Sequence, residues 1–353
     1  MRYPESKELQ EIWNRVEASF KDHLPFVIYR KPRENDIFGV FQTDAEHHQP
    51  LDFTEKGFVF APFKEGEQTV LVTPDTFWKS SYTREEAENT SDISLDDSGK
   101  EGHIKLVKNG IREIQKGRLQ KVVLSRKIEV PLTKSPINIF KTLLNRYQNA
   151  FGYLFYHPKV GTWCGATPET LVKIKDKKLQ TMSLAATLPY VENKKPDWGE
   201  KEIEEQQMVS EYIGDKLAHT MERLEIDEAE SVRAGNLWHL RSEVRGTMLP
   251  NLKVKEVIRA LHPTPAVCGI PTKEAQQFIQ ANENYQRTFY TGFLGELNLR
   301  AQGELSLYVN LRCMQLETDV ASIFVGGGIT EASDPESEWI ETQNKSKTML
   351  GVL

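Results

Sequence analysis

The chain has 353 residues, of which 39% are hydrophobic and 27% are charged, with 22 glycines and 17 prolines. This composition is typical of a globular protein and excludes collagen-like and broadly disordered chains. The formal net charge of −6 argues against a nucleic-acid partner, because proteins that bind phosphate backbones are normally basic.

The first hundred residues predict one helix followed by short strands. Apolar residues recur at helical spacing over residues 8–23, which predicts an amphipathic helix. Short apolar runs separated by polar turns predict strands over residues 25–75. Residues 83–102 are polar, acidic and poor in large apolar side chains, so we expect an exposed loop that could begin with a helical turn. This loop is the best candidate boundary along the chain.

The remaining residues predict strands that come in runs, separated by a few helices. Helices are predicted at 103–117, at 200–224 and from residue 333 onward, and strands at 121–130, 152–189, 231–248, 289–299, 305–316 and 321–326. Because the strands do not alternate regularly with helices, we expect antiparallel sheets covered by helices.

The three cysteines, Cys164, Cys268 and Cys313, are widely spaced and form no CxxC motif. They cannot form a disulfide framework, which favours a cytoplasmic protein. The N-terminus has no apolar run after its early arginine, so no secretory signal is expected. No stretch of about 18 apolar residues occurs, so no membrane span is expected either.

Two pairs of glutamates have a spacing of three residues on predicted helices. Glu202 and Glu205 lie on the long helix, and Glu338 and Glu341 lie on the last one, so each pair shares one helical face. Two such helices facing each other could hold one hard divalent cation through carboxylate oxygens. A solvated helix face explains the same spacing, and on spacing alone it is the favoured interpretation.

A run of three glycines, in the segment FVGGGIT (324–330), follows an apolar strand. Glycines let a ligand approach the backbone closely and let N–H groups meet an anion. The run is not GxGxxG and lacks a following GKS or GKT, so a nucleotide site is poorly supported and a turn is favoured. The next residues predict a helix start, with Ser333 or Asp334 as the N-cap and Pro335 in the first turn.

Four single residues could carry chemistry, although each also has an ordinary structural explanation. Lys121 begins an apolar strand; desolvation in a pocket could make it a general base, whereas most strand-end lysines are solvated. Glu169 could be its acid partner, or a cap or surface residue. Arg312 is predicted on a central strand, where an arginine usually pairs with a carboxylate of the protein or of a substrate. His239 lies in an apolar setting that is typical of a core histidine.

Taken together and in this order, these motifs resemble the chorismate-utilising enzyme family, which includes isochorismate, salicylate, anthranilate and aminodeoxychorismate synthases. The matching segments lie within residues 121–345 and are KVVLSR, GATPETL, SLAAT, KEIEEQQMV, LWHLRSEVRG, LHPTPAVCGIP, YTGFLGEL, LYVNLRC, FVGGGI and SDPESEWIETQNK. The N-terminal hundred residues are similar only in general character. The family often has a histidine directly after its metal-binding glutamate, where this chain has Gln206.

The resemblance implies a specific reaction at the ring of chorismate. The ring carboxylate would bind to Mg²⁺, and Lys121 would deprotonate a water that attacks C2. Glu169 would donate a proton to the departing C4 hydroxyl from the opposite side of the ring. Acid–base catalysis of this kind needs the pKa values of both groups moved toward neutrality.

The resemblance also implies which residues hold the ligands. Glu205 and Glu341 would bind the Mg²⁺, and Glu202 and Glu338 would be their partners through water. The residues that are similar to substrate-binding groups of the family are Thr187 and His239 for the ring substituents, and Tyr290, Arg312, Gly326, Gly327, Gly328 and Lys345 for the two carboxylates.

Among the branches of the family, the chain is most like the isochorismate synthases. The lysine in KVVLSR is similar to the base of the isochorismate and salicylate branches, whereas anthranilate-type members usually carry glutamine there. Aminodeoxychorismate synthases place a nucleophilic lysine where this chain has Ala185 and Ala186. The resemblance therefore implies an isomerase that forms isochorismate for menaquinone or siderophore biosynthesis. Salicylate synthase is the alternative, and a non-catalytic chorismate-binding protein is a distant one, because binding alone needs neither Lys121 nor Glu169.

The fold implied by the resemblance is of the α+β class. It is a large single domain over residues 1–353, with two stacked, mostly antiparallel sheets flanked by helices. Residues 1–100, which are rich in strands, would complete this domain. Residues 103–353 would form the catalytic core, with the active site between the sheets and the glutamate-bearing helices. We expect a cytoplasmic monomer or weak homodimer whose partner is the small molecule chorismate, with no nucleic-acid or membrane partner.

Overall fold

The structure, a computed structural model, describes residues 4–85, 97–234 and 237–353. The helices are α1 (Leu9–Lys21), α2 (Lys100–Gln115), α3 (Pro136–Arg146), α4 (Glu200–Ala218), α5 (Val254–Leu261), α6 (Thr272–Asn282) and α7 (Pro335–Leu350). The strands of the first half are β1 (Glu5–Ser6), β2 (Phe26–Arg30), β3 (Asp36–Phe41), β4 (Gly57–Ala61), β5 (Val70–Val72), β6 (Thr76–Ser81), β7 (Lys121–Pro131), β8 (Phe151–His157), β9 (Gly161–Thr167) and β10 (Thr170–Lys175). The later strands are β11 (Lys178–Pro189), β12 (Met221–Ile226), β13 (Glu230–Ala234), β14 (Leu237–Met248), β15 (Gly269–Ile270), β16 (Phe293–Leu297), β17 (Leu305–Val309), β18 (Cys313–Leu316) and β19 (Val320–Ile329).

Two large sheets form the centre of the fold. The first has the strand order β1-β6-β3-β2-β8-β9-β18-β19-β7-β15, and the second has the order β12-β14-β11-β10-β17-β16-β4-β5, with β13 also paired to β14. The short pair β1–β6 is parallel, whereas the long pairs β7–β19 and β11–β14 are antiparallel. The predicted α+β class with two mostly antiparallel sheets is thereby confirmed. No helix of the described residues is long and apolar enough to span a membrane.

The N-terminal strands belong to both sheets. Strand β2 pairs with β8 in the first sheet, and β4 pairs with β16 in the second. The strand-rich N-terminal segment is therefore joined by backbone hydrogen bonds to later strands of the chain in each sheet.

Aromatic side chains fill the space between the sheets. The ring of Phe60 stacks on Phe289 with centroids 4.4 Å apart, and the ring of Phe151 stacks on Tyr308 with centroids 4.1 Å apart. The outer face of the first sheet packs against α1 and α3, and that of the second sheet packs against α4 and α5. Helices α2 and α6 cover the end of the first sheet that contains β7. Burial of these apolar faces is the main stabilising term of such a layered fold.

The start of the last helix follows from its sequence. Of the two predicted caps, the structure uses Asp334, whose carboxylate accepts the backbone N–H of Ser337 at 2.8 Å. Pro335 occupies the first turn, where it needs no N–H donor. The cap fixes where α7 begins and therefore where its two glutamates lie.

Several predicted bounds are wrong because tertiary pairing overrides the local pattern. The helix predicted over 200–224 ends at Ala218, since β12 then pairs with β14. The strand predicted over 305–316 is two strands in different sheets, β17 and β18, and Arg312 lies in the link between them with φ of +46°. The strand predicted over 289–299 is confined to β16. Of the loop predicted over 83–102, residues 86–96 lie outside the described residues, and its last residues begin α2.

Candidate active site

A cavity of about 70 Å³ lies where β11, β14 and β19 meet α4 and α7. Most of the residues predicted for the site line this cavity: Glu169, Thr187, Glu205, His239, Tyr290, Arg312, Gly326, Gly327, Gly328, Glu341 and Lys345. Lys121, Glu202 and Glu338 are not among the lining residues. The structure thus brings together groups that are far apart in the sequence, from both sheets and from both glutamate-bearing helices.

The glycine run is part of strand β19, so its interpretation as a turn is wrong. A methyl group at Gly328 would lie 2.3 Å from Glu205 Oε1, which is closer than any real contact of this kind. A methyl group at Gly327 would lie 3.1 Å from Glu338 Oε2 and 3.2 Å from Glu341 Oε1. The missing side chains therefore let three carboxylates approach the backbone of one strand.

Lys121 is the first residue of β7 and is fully buried. Its Nζ lies 2.8 Å from Glu205 Oε1, and this ion pair joins β7 to α4 beside the cavity wall. Within the described residues, the nitrogen has no partner that meets hydrogen-bond geometry. Because the side chain is fully buried, the alternative of a solvated strand-end lysine is wrong. The carboxylate of Glu205 offsets the cost of removing this side chain from water.

Glu169 lies between β9 and β10, and only 3% of its surface is exposed. Its backbone N–H donates to Thr167 Oγ1 at 3.2 Å, which holds the connecting turn. Burial raises the pKa of the Glu169 carboxyl to about 8, although the charges of Lys121, Arg312 and Lys345 oppose the shift. The carboxyl is therefore largely protonated at neutral pH and can donate a proton. Its alternative as a surface residue is wrong.

Glu205 has the opposite protonation behaviour in the same site. Burial favours its neutral form, but the charge and contact of Lys121 and the charges of Lys201 and Lys345 together outweigh burial and lower the pKa of Glu205 below its ordinary value. The carboxylate therefore stays ionised at neutral pH. The site therefore contains one buried carboxyl that holds a proton and a second that is charged, so a proton donor and a charged ligand-binding group lie in the same cavity.

The carboxylates near β19 form a charged cluster with lysines. Glu338 Oε1 accepts from Lys201 Nζ and from Ser333 Oγ, both at 2.7 Å. Lys345 Nζ lies 2.5 Å from Glu341 Oε1. Burial and the charge of Glu341 raise the pKa of Glu338 to about 7, although Lys201 opposes the shift.

The cluster is compatible with a hard divalent cation. Glu338 Oε2 is buried and has no hydrogen-bond partner among the described residues, so one carboxylate oxygen beside Glu341 is available. Oxygen donors of this kind suit Mg²⁺. Across residues 4–85, 97–234 and 237–353, however, no three acidic, histidine or cysteine side chains are already arranged as a ligand set. Ion pairs with lysines occupy the carboxylates of Glu205 and Glu341 instead.

Glu202 has a structural role at the start of α4. Its Oε2 accepts the N–H of Gly199 at 3.1 Å, which satisfies a backbone donor at the helix terminus. The same helix places Glu205 one turn later at the cavity, where it is buried. Glu202 and Glu205 therefore differ in position although they share one helix: Glu205 lines the cavity and Glu202 does not.

His239 is buried on β14 with a defined tautomer. Its Nδ1 lies 2.8 Å from the carbonyl oxygen of Ala186, so Nδ1 carries the proton and donates it. Burial, together with the charge of Arg312, lowers the pKa of His239 to about 3, so the ring is neutral. Its Nε2 is a buried acceptor without a partner among the described residues. Thr187 Oγ1 lies 3.3 Å from Nδ1, and the two side chains together offer polar contacts to a ring hydroxyl.

Three groups form the cationic and hydrogen-bonding end of the cavity. Arg312 is held in the left-handed region of backbone space, and within the described residues its guanidinium has no hydrogen bond or ion pair. Lys345 Nζ donates to the carbonyl oxygen of Gly326 at 2.9 Å. Burial raises the pKa of the Tyr290 hydroxyl, so this group remains a donor. The combination suits an anionic ligand with carboxylate groups.

Two residues of the site were not predicted from the sequence. Lys201 neutralises Glu338 across the gap between α4 and α7, and its position one helical turn before Glu205 was the available signal. Ala186, with φ of +59°, turns its carbonyl oxygen toward His239, and no residue preference at an alanine indicates such a conformation. Gln206 donates to Ser183 Oγ at 2.9 Å and anchors α4 to β11 beside Glu205.

Comparison with known proteins gives consistent matches. Residues 64–353 match the family model of chorismate binding enzymes. The chain is 30% identical to isochorismate synthase DhbC of Bacillus subtilis (strain 168), over 83% of this chain and 79% of that protein. It is 32% identical to isochorismate synthase MenF of Escherichia coli (strain K12), over 72% of this chain and 60% of that protein. The crystal structure of DhbC from Bacillus anthracis is similar with a TM-score of 0.80 and 26% identity, covering 96% of this chain and 98% of that one.

Proposed function

The chain belongs to the family of chorismate binding enzymes, and on that basis we propose that it is an isochorismate synthase. The reaction adds water at C2 of chorismate and removes the hydroxyl at C4. One observation supports the proposal beyond family membership. Lys121 and the protonated Glu169 are both buried beside the same cavity, and the charge of Lys121 acts on the pKa of Glu169. A protein that only binds its ligand needs neither group there.

Lys121 acts as the general base. The amine takes a proton from a water molecule, and the oxygen of that water forms the new bond to C2. The contact with Glu205 holds the amine beside the cavity wall. The complete burial of Lys121 beside the cavity supports the role, because its amine is positioned by packing and is shielded from bulk solvent.

Glu169 acts as the general acid. Its carboxyl proton moves to the C4 oxygen as the C4–O bond breaks, and the hydroxyl leaves as water. The proton taken by Lys121 and the proton given by Glu169 balance, so the overall reaction is an isomerisation. A pKa of about 8 supports the role, since the acid is then protonated over the physiological range.

A magnesium ion fits the site as a cofactor, held by Glu205 and Glu341 with Glu338 beside them. When bound, the cation would neutralise the ring carboxylate of the substrate and polarise it. The buried and partnerless oxygen of Glu338 supports this assignment. Lys121 and Lys345 would then exchange their carboxylate partners for water and substrate.

The remaining residues orient the substrate. Arg312, Tyr290, Lys345 and the N–H groups of the glycine strand bind the carboxylates, and the neutral His239 with Thr187 positions the C4 hydroxyl. Arg312 is well suited to a carboxylate because its planar group can form two parallel hydrogen bonds.

Product analysis tests this proposal. Purified protein is incubated with chorismate and Mg²⁺, and the products are separated and identified by mass. We expect isochorismate, with no loss of pyruvate. Salicylate fluorescence together with pyruvate would identify a salicylate synthase instead. Saturable binding of chorismate without any product would identify a non-catalytic binding protein and contradict the proposal.

A further inference from the structure

A second cavity, of about 440 Å³, adjoins the catalytic one. The two cavities share four wall residues, which are Pro168, Leu184, His239 and Arg312. Arg312 therefore stands at the junction, with the catalytic groups on one side and the larger space on the other. A ligand that occupies the larger cavity lies next to the reaction site.

The larger cavity is lined by arginines. Six of its wall residues are Arg33, Arg84, Arg146, Arg233, Arg241 and Arg312, and no described wall residue is an aspartate or glutamate. The chain as a whole carries a net charge of −6, so this concentration of one sign is opposite to the average of the molecule. Arginines gathered around a concave space raise the local concentration of anions.

The arginines of this wall differ in the ion pairs that they form with the described residues. Arg241 forms an ion pair with Glu230, and its guanidinium lies 3.8 Å from Glu243. Neither glutamate lines the cavity. Arg33 and Arg84 are exposed, and neither forms an ion pair with any residue that the structure describes. Among the described residues, no carboxylate therefore offsets the charge of Arg33 and Arg84 through an ion pair.

We propose that the arginine-lined cavity is a vestibule that captures the dianionic substrate and delivers it to the catalytic cavity. The identity of the ligand rests on the proposed function, whereas the anion preference rests on the wall residues alone. The arginines of the larger cavity would attract both carboxylates of chorismate before either carboxylate reaches Arg312. Because Arg312 lines both cavities, it can bind the substrate as it moves from the larger cavity into the catalytic one. Attraction of this kind acts over about 10 Å at 0.1 M salt and weakens as salt is added.

The first measurement is the salt dependence of the wild-type enzyme. The KM and the equilibrium Kd for chorismate are measured between low and high concentrations of a chloride salt, at constant Mg²⁺. We expect both constants to rise by about 10-fold with kcat nearly constant, because screening weakens attraction and not chemistry. Values of Kd and KM that do not change with salt would overturn the proposal.

The second measurement reverses the charge of the outer arginines. The variant R33E/R84E is expected to raise KM and Kd by about 10-fold and to flatten their salt dependence, with kcat within twofold of the wild type. The variant R33K/R84K keeps the charge and is expected to stay within about threefold of the wild type. If the lysine variant is as defective as the glutamate variant, side-chain packing and not charge is responsible, and the proposal fails.

A matched control separates local charge from net charge. Lys108 on α2 and Lys273 on α6 are exposed and line neither cavity. The variant K108E/K273E changes the net charge of the protein by the same amount, and we expect KM and Kd to remain within twofold. If KM and Kd rise as much in this variant as in R33E/R84E, the overall charge of the protein is responsible, and the vestibule proposal is wrong.

The two readouts keep this inference distinct from the proposed function. If the wild type binds chorismate but forms no isochorismate, the proposed reaction is wrong, while Kd still tests the vestibule. If isochorismate forms but R33E/R84E leaves Kd and KM within twofold, the reaction stands and the vestibule is wrong.

Discussion

Two carboxyl groups of one site differ in charge because their neighbours differ. Glu205 lies in ion-pair contact with an ammonium and keeps its charge, whereas Glu169 is buried and, within the described residues, has no ion pair. Desolvation favours the neutral carboxyl, and a lysine at contact distance favours the charged one. The residue type therefore does not set the role, since both are glutamates.

The acid role proposed for Glu169 predicts the pH dependence of the reaction. The acid works only when protonated, so kcat/KM is expected to be retained below a pH of about 8 and to fall as the pH rises through that value. The measurement is a pH profile of kcat/KM for the wild type, with substrate stability checked at each pH. The variant E169Q is expected to lose most of the activity at every pH. A profile that rises between pH 7 and 9 would contradict the assignment of the acid.

Removal of the base gives a second prediction. The variant K121A is expected to lower kcat by about 10²–10⁴-fold, because the amine proposed to take the proton from water is lost. Chorismate binding, measured at equilibrium, is expected to remain. Thermal unfolding is measured in parallel, since Glu205 is left buried without its ion pair and the fold is expected to lose about 3–5 kcal/mol.

A matched lysine on the same strand provides the control. Lys127 is partly exposed and pairs with Glu129 on the surface. The variant K127A is expected to keep wild-type kcat and stability, because exposed ion pairs contribute little. Wild-type turnover by K121A would refute the assignment of the base.

Single residues could be selected from the sequence, but their surroundings could not. The order of motifs drew attention to Lys121 and Glu169, yet the burial that shifts the pKa of Glu169 depends on residues from other strands. Glu202 and Glu205 have the same spacing as the other pair, but the rotation of α4 is fixed by packing of Val209 and Ile213 against the second sheet. The spacing of residues along the helix does not predict which face packs against the sheet at these positions.

At the level of elements, the sequence predicted the existence of most helices and strands better than their ends. Apolar residues recur along 305–316 with no glycine or proline between them, so the pattern gives no sign that the chain changes sheets at Arg312. The break depends on the pairing of β17 with β10 and of β18 with β9, which are distant in sequence. Local preferences cannot report such pairings.

The glycine strand shows the same difficulty. Three consecutive glycines favour a turn by local propensity, but here they form a regular pair with β7. The reason for glycine is the nearness of carboxylates on α4 and α7, which is a property of the packed elements. Glycine can therefore be required next to a site because a side chain would occupy the space of the groups that approach the backbone.

Addition of one methyl group tests this explanation. The variant G328A is expected to displace the carboxylate of Glu205, because its Cβ would lie 2.3 Å from Oε1. We expect kcat/KM to fall by about 100-fold and the free energy of unfolding to fall by about 1–3 kcal/mol. Steady-state kinetics and thermal unfolding measure the two effects.

The control for this variant is another glycine-to-alanine change. A methyl group at Gly102, in helix α2, meets no atom within 4 Å. The variant G102A is expected to keep full activity and to be slightly more stable, because alanine favours a helix over glycine. Full activity of G328A would mean that the glycine run does not shape the site.

At the level of the whole molecule, the aromatic layer between the sheets holds the two halves of the site together. Phe60 is fully buried and stacks on Phe289, which directly precedes Tyr290 of the cavity. The variant F60A is expected to lower the free energy of unfolding by about 3–5 kcal/mol, measured by thermal or denaturant unfolding. The control L51A removes a side chain that is 79% exposed and is expected to change stability by less than about 0.5 kcal/mol. Equal stability of the two variants would contradict a core role for the aromatic layer.

The sharing of early strands between both sheets has a consequence for synthesis on the ribosome. Strand β4 has its edge partner β5 close by in the chain, but its other partner, β16, is translated near the end. At a typical rate of elongation, the hairpin of β4 and β5 waits of order 10 s for that partner. During this time its apolar residues, such as Phe58 and Phe60, lack the layer that later covers them. The nascent chain is therefore a candidate client for chaperones that shield emerging apolar segments.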